Sequence, residues 1–160
     1  MYENYLKKAP SKTGTGVFTT TIIPPNVPIC EFKGEYFTSK TLKHSDDIVV
    51  QVGPDLFLGP SGDIDDFINH SCNPNCMLHI VGARAILYAL YYIGAGDELT
   101  FDYSTTSTDT SDQWQMKCEC KQSNCRGTIS GFHVLDKDIQ KELKDKGVVP
   151  LYMTNPIFNK

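Results

Sequence analysis

Between Val17 and Phe37 short apolar runs alternate with tight turns, among them Pro24-Pro25-Asn26 and Lys33-Gly34. Proline and glycine at this frequency stop an amphipathic helix from growing, while short strands joined by tight connections accommodate them. The same punctuation continues downstream. Ile48 to Val52 and Leu56 to Leu58 are short strand candidates separated by Gly53-Pro54-Asp55. Ala85 to Ile93 is a stronger strand, rich in branched and aromatic residues, and Gly94-Ala95-Gly96-Asp97 turns it into Leu99 to Tyr103. The fold expected is mainly β. Ser104 to Asp112 contains only Ser, Thr and Asp and reads as a flexible linker. One helix is expected near the end, capped by Asp136, carrying Ile139 and Leu143 on one face and stopped at Gly147.

The chain has 160 residues, which suits one domain with a real core. Its net charge of −4 implies no broad basic surface, so direct binding to nucleic acid is not expected, whereas a basic peptide is an acceptable partner. Met1 to Pro24 has no continuous apolar stretch of the signal-peptide kind, and the uncharged run Ala85 to Gly96 is too short to cross a bilayer. An intracellular protein, nuclear or cytoplasmic and not bound to a membrane, is expected. Six cysteines could form a disulfide framework. The crowding of Cys118, Cys120 and Cys125, in a chain with core enough of its own, points instead to metal ligation. Three thiolates leave one zinc ligand to find, with Cys72, Cys76, His70 and His133 as candidates. Cys30 reads as a small buried apolar residue.

Three further segments carry chemistry. Asn69-His70-Ser71-Cys72-Asn73-Pro74-Asn75-Cys76 packs polar, turn-forming residues directly after Phe67-Ile68. Such a run serves either as an Asx-rich connection or as a polar site. In Gly96-Asp97-Glu98-Leu99-Thr100-Phe101-Asp102-Tyr103, an extended chain would put Phe101 and Tyr103 on one face and Asp102 on the other. In Lys12-Thr13-Gly14-Thr15-Gly16-Val17-Phe18, a Gly-x-Gly before a strand makes either a plain turn or a place where backbone comes close to a ligand. It lacks the longer glycine pattern of a dinucleotide or phosphate loop.

Taken in order, Asn-His-Ser-Cys-x-Pro-Asn, Gly-Asp-Glu-Leu-Thr-Phe-Asp-Tyr and the Cys-x-Cys-x4-Cys-x-Gly tail resemble the SET domain family of protein lysine methyltransferases, over roughly residues 5 to 131. The resemblance implies a fold of small curled sheets with a pseudoknot, a zinc-binding post-SET segment and a C-terminal helix. The corresponding boundaries are 5–112 for the SET domain, 113–131 for the post-SET segment and 132–160 for the helical extension. It implies S-adenosylmethionine as cofactor, held by Lys12, Gly14, Thr15, Gly16, Val17 and Phe18 and by Asn69 and His70. It places Tyr103 beside the transferred methyl group as the catalytic residue, with Phe101 beside it in a lysine channel. Structural zinc would be bound by Cys72, Cys118, Cys120 and Cys125, with Cys76 outside the site. Glu35 matches a buried glutamate of structural role. Asp66 stands where an arginine often precedes Phe-Ile-Asn-His, and the interval from Glu35 to Asp63 is short, as in compact, free-standing members.

The activity implied is methylation of a lysine in a histone tail or in another protein. A lysine amine is mostly charged at neutral pH, its ordinary pKa being about 10.4. An apolar channel and a nearby sulfonium both favour the neutral nucleophile. Phe101 adds no hydroxyl to the channel, which favours di- or trimethylation. Two other readings remain open: a catalytically inactive SET-like module that binds a lysine peptide, and a zinc-stapled interaction domain.

Overall fold

The computed structural model describes residues 1–42, 48–108 and 114–155. Twelve strands are described, none longer than six residues, and they form small sheets. β1 (Leu6–Ser11) and β2 (Gly14–Thr19) make an antiparallel hairpin. β3 (Pro28–Glu31), β9 (Arg84–Ala89) and β8 (Cys76–Val81) form a sheet in that order. β4 (Tyr36–Phe37), β6 (Leu56–Leu58) and β5 (Val50–Gly53) form another. β7 (Asn69–His70) pairs in parallel with β10 (Thr100–Phe101), and β11 (Gln115–Lys117) pairs with β12 (Thr128–Ser130). Helices α1 (Lys137–Asp145) and α2 (Leu151–Thr154) follow. No described helix is long and apolar enough to cross a membrane.

Apolar side chains collect in three clusters. The main core joins Val17, Ile23, Ile29, Leu78, Leu87 and Leu99, so every larger sheet turns one face to it. A second cluster lies under the C-terminal helices, where Phe132, Leu143, Tyr152 and Met153 pack on Met77, Ile80 and Leu90. Tyr152 also donates its buried hydroxyl to the Gln51 carbonyl at 2.7 Å, which ties α2 to β5. The third cluster is small and holds Cys72, Cys118 and Ile129, with Tyr103, Trp114, Cys120 and Cys125 at its edge.

The expected strand over Leu56–Leu58 and the helix capped by Asp136 both form; the Asp136 carboxylate accepts the Asp138 N–H, and Gly147 takes a positive φ at the stop. Other expectations need correction. The Ala85 strand ends at Ala89 rather than Ile93, because the chain bends there and Ile93 bridges to Ile23 instead. Tyr103 to Thr106 form a 3-10 turn, and Ser104, Thr105 and Thr106 are buried, so the linker reading fails over these residues. Their polar groups are satisfied locally: the Ser104 N–H donates to Asp102 Oδ1, the Thr105 hydroxyl to the Asp102 carbonyl and the Thr106 hydroxyl to the Tyr103 carbonyl. Thr108 is also held, its N–H and hydroxyl both donating to Gln51 Oε1, and the last part of that expected linker, 109–112, lies outside the described residues. Glu35 is exposed rather than buried: it precedes β4, and its carbonyl accepts the Gly59 N–H at 3.1 Å.

Candidate active site

The hairpin β1–β2 brings the Gly-x-Gly segment against the Asn69 side chain. Asn69 Nδ2 donates to the Thr15 carbonyl at 3.1 Å and to Glu98 Oε1 at 2.8 Å. Glu98 Oε2 also accepts from the Ser11 hydroxyl at 2.9 Å. The Glu98 carboxyl lies so close over Gly16 that a Cβ there would strike it. Glycine is thus required at position 16 for close approach, and Gly14, at φ +106°, for its backbone conformation. Glu98 was not among the residues expected at the site. Its only signal is its place in Gly-Asp-Glu-Leu, where it reads as an ordinary solvated charge.

Beside this hairpin is a cavity of about 370 Å³ whose lining includes Lys12, Gly14, Asn69, His70, Tyr103 and Cys120. The other four residues of the expected cofactor segment are elsewhere. Val17 is wholly buried in the core, Phe18 bridges to Glu98, and Thr15 and Gly16 face Asn69 and Glu98. They build the hairpin that presents Lys12 and Gly14.

A second cavity, of about 500 Å³, is lined mostly by apolar groups, including Phe32, Val50, Ile68, Phe101, Tyr103 and Trp114, with Asp65 and Asp66 as its charged members. Phe101 stacks near Tyr103 with ring centroids 4.9 Å apart and meets Phe32 edge-on at 5.7 Å. The two cavities share Asn69, Tyr103 and Met116. The Tyr103 hydroxyl donates to the Ile68 carbonyl at 2.8 Å. Burial, aided by the charge of Glu98, pushes its pKa well up, so it stays a neutral phenol with lone pairs left to accept.

His70 joins this site to the cysteines. Its Nδ1 accepts the Tyr103 backbone N–H at 3.1 Å. Burial pulls its pKa down to about 4, so the ring is neutral at physiological pH. The remaining proton sits on Nε2, which lies 3.3 Å from Cys72 Sγ and donates to it. Ligand atoms of His70, Cys72, Cys118 and Cys120 all lie within 4.8 Å of one another; Cys125 stands outside that group, at the edge of the same small cluster. Cys72 Sγ and Cys118 Sγ are 3.7 Å apart. A tetrahedron of Zn–S bonds of about 2.3 Å has an edge of about 3.8 Å, so this spacing suits zinc. Sulfur also accepts backbone N–H groups here, from Arg126 to Cys72 and from Gly127 to Cys125, each at 3.4 Å. Burial raises the thiols of Cys72 and Cys118, which a bound cation would reverse. Cys30 and Cys76 lie in the main core; burial lifts Cys30 to about 12 and Cys76 further. His133 packs against Phe132 in the C-terminal segment.

A second residue that sequence reasoning missed is Arg126. Its guanidinium grips Asp102 with two hydrogen bonds, Nη1 to Oδ2 at 2.8 Å and Nη2 to Oδ1 at 2.7 Å. The partners are 24 residues apart, so no local pattern signals the pair.

Residues 14–104 match the SET domain family model, and the chain belongs to that family. The histone-lysine N-methyltransferase, H3 lysine-36 specific, of Cryptococcus neoformans var. neoformans is 31% identical over 136 residues, covering 75% of this chain and 16% of that protein. The variant-silencing SET domain-containing protein of Plasmodium falciparum is 27% identical over 172 residues, covering 95% of this chain and 6% of that protein. The crystal structure of KRYPTONITE in complex with mCHG DNA and SAH matches with a TM-score of 0.67 and 27% identity, over 78% of this chain and 29% of that one. KRYPTONITE in complex with mCHH DNA, H3(1-15) peptide and SAH matches with a TM-score of 0.65 and 26% identity, over the same shares. The chain thus spans 16% or less of the length of these two curated relatives.

Proposed function

We propose that this chain transfers a methyl group from S-adenosylmethionine to a lysine side chain of another protein, with a histone tail in the nucleus as the substrate class. The observation that carries the reading is that a cavity of mixed lining, beside the Gly-x-Gly hairpin, and a more apolar one share Tyr103, together with Asn69 and Met116. Relatives named as histone-lysine N-methyltransferases, and a neighbour that binds SAH and an H3 peptide, support it.

In this reading Lys12, Gly14, Asn69 and His70 hold the cofactor in the first cavity, on a hairpin built by Thr15, Gly16, Val17 and Phe18. When bound, S-adenosylmethionine supplies a methyl group on a positively charged sulfur. Phe32, Ile68, Phe101 and Trp114 exclude water from the second cavity. There they favour the neutral amine over the ammonium, as apolar surroundings do. Tyr103, its own proton held by Ile68, offers lone pairs that orient the amine. Positioning of this kind supplies of the order of 7 kcal/mol or more in favourable cases. The absence of a second hydroxyl at Phe101 favours a di- or trimethylated product. Zinc is structural: Cys72, Cys118, Cys120 and Cys125 would hold it, while His70, whose Nδ1 accepts the Tyr103 N–H and whose Nε2–H faces Cys72 Sγ, would stay a hydrogen-bond donor beside it.

The test is radiolabelled methyl transfer to histones and to a protein extract, followed by mapping of the modified lysine. Label on lysine that disappears in Tyr103→Phe is expected. Tight binding of cofactor and peptide with no transfer would replace this reading with that of a lysine-peptide binding module.

A further inference from the structure

Arg126 lies between Cys125 and Gly127, and its guanidinium bonds Asp102 rather than a sulfur. Besides the two bonds to Asp102, its Nη2 reaches the Ser104 hydroxyl at 3.2 Å. The two ionic side chains are only 11% and 2% exposed. Meanwhile the Arg126 backbone N–H donates to Cys72 Sγ. One residue thus grips both the cysteine cluster and Asp102.

Asp102 is the residue on which the Tyr103 turn is built. Its Oδ1 accepts the Ser104 N–H at 3.1 Å and its carbonyl accepts the Thr105 N–H at 3.0 Å. The same Oδ1 lies 3.5 Å from His70 Nδ1, the atom that receives the Tyr103 N–H. Rotation of the Asp102 carboxylate would therefore move the turn and the tyrosine together.

Stability alone is a poor reason for this arrangement. Stripping water from two charges offsets most of their attraction, and a well-packed apolar pair serves a core as well. Arg126 Nε is moreover a buried N–H without a partner among the described residues. What a guanidinium adds is a planar fork that fixes the angle of a carboxylate. Charge points the same way. Four thiolates around a divalent ion would leave two negative charges and Asp102 adds a third nearby; Arg126 answers both, its guanidinium bonded to Asp102 and its neutral backbone N–H to Cys72.

We propose that Arg126 is a positioning residue for methyl transfer: through its forked grip on Asp102 it sets the turn that carries Tyr103 and locks it to the cysteine cluster. This rests on the methyl-transfer reading above. The consequence is a coupling, in which the tail senses and fixes the orientation of the reacting centre rather than only covering the cofactor.

The test compares metal-loaded wild type with Arg126→Gln and Arg126→Lys, measuring metal content, kcat and KM for cofactor and peptide. Amide exchange of residues 102–106 and 118–127 is followed in parallel. Arg126→Gln should keep its metal and a protected 118–127 segment while residues 102–106 exchange faster. Its kcat should fall about tenfold to a hundredfold, as expected for a misplacement of about 1 Å at a reacting centre, and more than either KM rises. Arg126→Lys keeps the cation but offers one prong, and should fall between the two. A metal-loaded Arg126→Gln with wild-type kcat and wild-type exchange at 102–106 would overturn the proposal. So would loss of metal and fold in both variants, which would make the residue a docking element only. If wild type itself transferred no methyl, the proposed function would fail, while the exchange measurement would still decide whether Arg126 fixes the Tyr103 turn.

Discussion

The Tyr103 hydroxyl has a partner in the fold and, in the proposed function, a second in the substrate amine, and the two can be separated. It donates to the Ile68 carbonyl, so Tyr103→Phe removes one buried hydrogen bond, at a cost of about 1 kcal/mol of stability. It also leaves the meeting point of the two cavities without its phenolic acceptor. The expected result is a folded protein whose kcat falls about a hundredfold, the order found for removal of one oriented polar group at a reacting centre. Thermal melting and steady-state kinetics check the two parts, and a variant that loses stability but keeps kcat would return Tyr103 to the core. Phe101 gives a complementary prediction. It is 3% exposed, its ring lies 4.9 Å from that of Tyr103 and both line the second cavity, where the proposed function puts the amine. Phe101→Tyr should shift the product from di- or trimethyl-lysine towards monomethyl-lysine, with total turnover retained. Mass spectrometry of the modified peptide reads this directly, and a wild type that stops at one methyl under excess cofactor would contradict it.

At the scale of elements, the C-terminal extension behaves as part of the wall of the fold. Tyr152 reaches from α2 to the Gln51 carbonyl, and Gln51 uses its side-chain carbonyl to accept the N–H and hydroxyl of Thr108. Its neighbour Val50 lines the second cavity. Tyr152→Phe should lower stability by about 1 kcal/mol, some 2–4 °C in a domain near this size, with little change in KM for cofactor. Calorimetry and kinetics on the same preparation check it. Elements of this molecule were legible in sequence where their signals are local. Gly53-Pro54-Asp55 marks the β5–β6 turn, and Asp136 and Gly147 mark the ends of α1. β7 was not legible, because no periodicity fits into a run of two residues, and β10 is shorter than the extended run expected over Leu99 to Tyr103. The Ser/Thr segment after Tyr103 misled for a physical reason: the hydroxyls that suggest a solvated linker instead bond to the turn's own carbonyls. For the site, the motifs marked Asn69, His70, Tyr103 and the cysteines, since each motif is contiguous. Glu98 over Gly16 and Arg126 on Asp102 are contacts across the fold, which a single sequence does not encode as a pattern.

The molecule as a whole depends on a junction that its apolar surface is too small to secure. Among the described residues the third cluster has only Cys72, Cys118 and Ile129 as buried apolar members, against seventeen in the main core. A segment with so little buried area needs a covalent or metal staple to stay docked. The staple proposed is one zinc ion shared between Cys72 of the body and Cys118, Cys120 and Cys125 of the tail. The tail also supplies Met116, Lys117, Glu119, Cys120 and Ile129 to the wall of the first cavity. Metal removal should therefore act on the cofactor before it acts on the core. Treatment with a chelator, or Cys72→Ser, is expected to take zinc from about one equivalent to near none, since loss of one of four thiolates weakens the whole set. Cofactor affinity should drop at least about tenfold, in line with losses on disturbing the surroundings of a metal site. Limited proteolysis should then cut within 114–131 while 6–106 stays resistant, because Val17, Leu78, Leu87 and Leu99 pack without help from the tail. Retention of one zinc in Cys72→Ser would move the fourth ligand elsewhere. Cooperative collapse of 6–106 on chelation would make the metal part of the core.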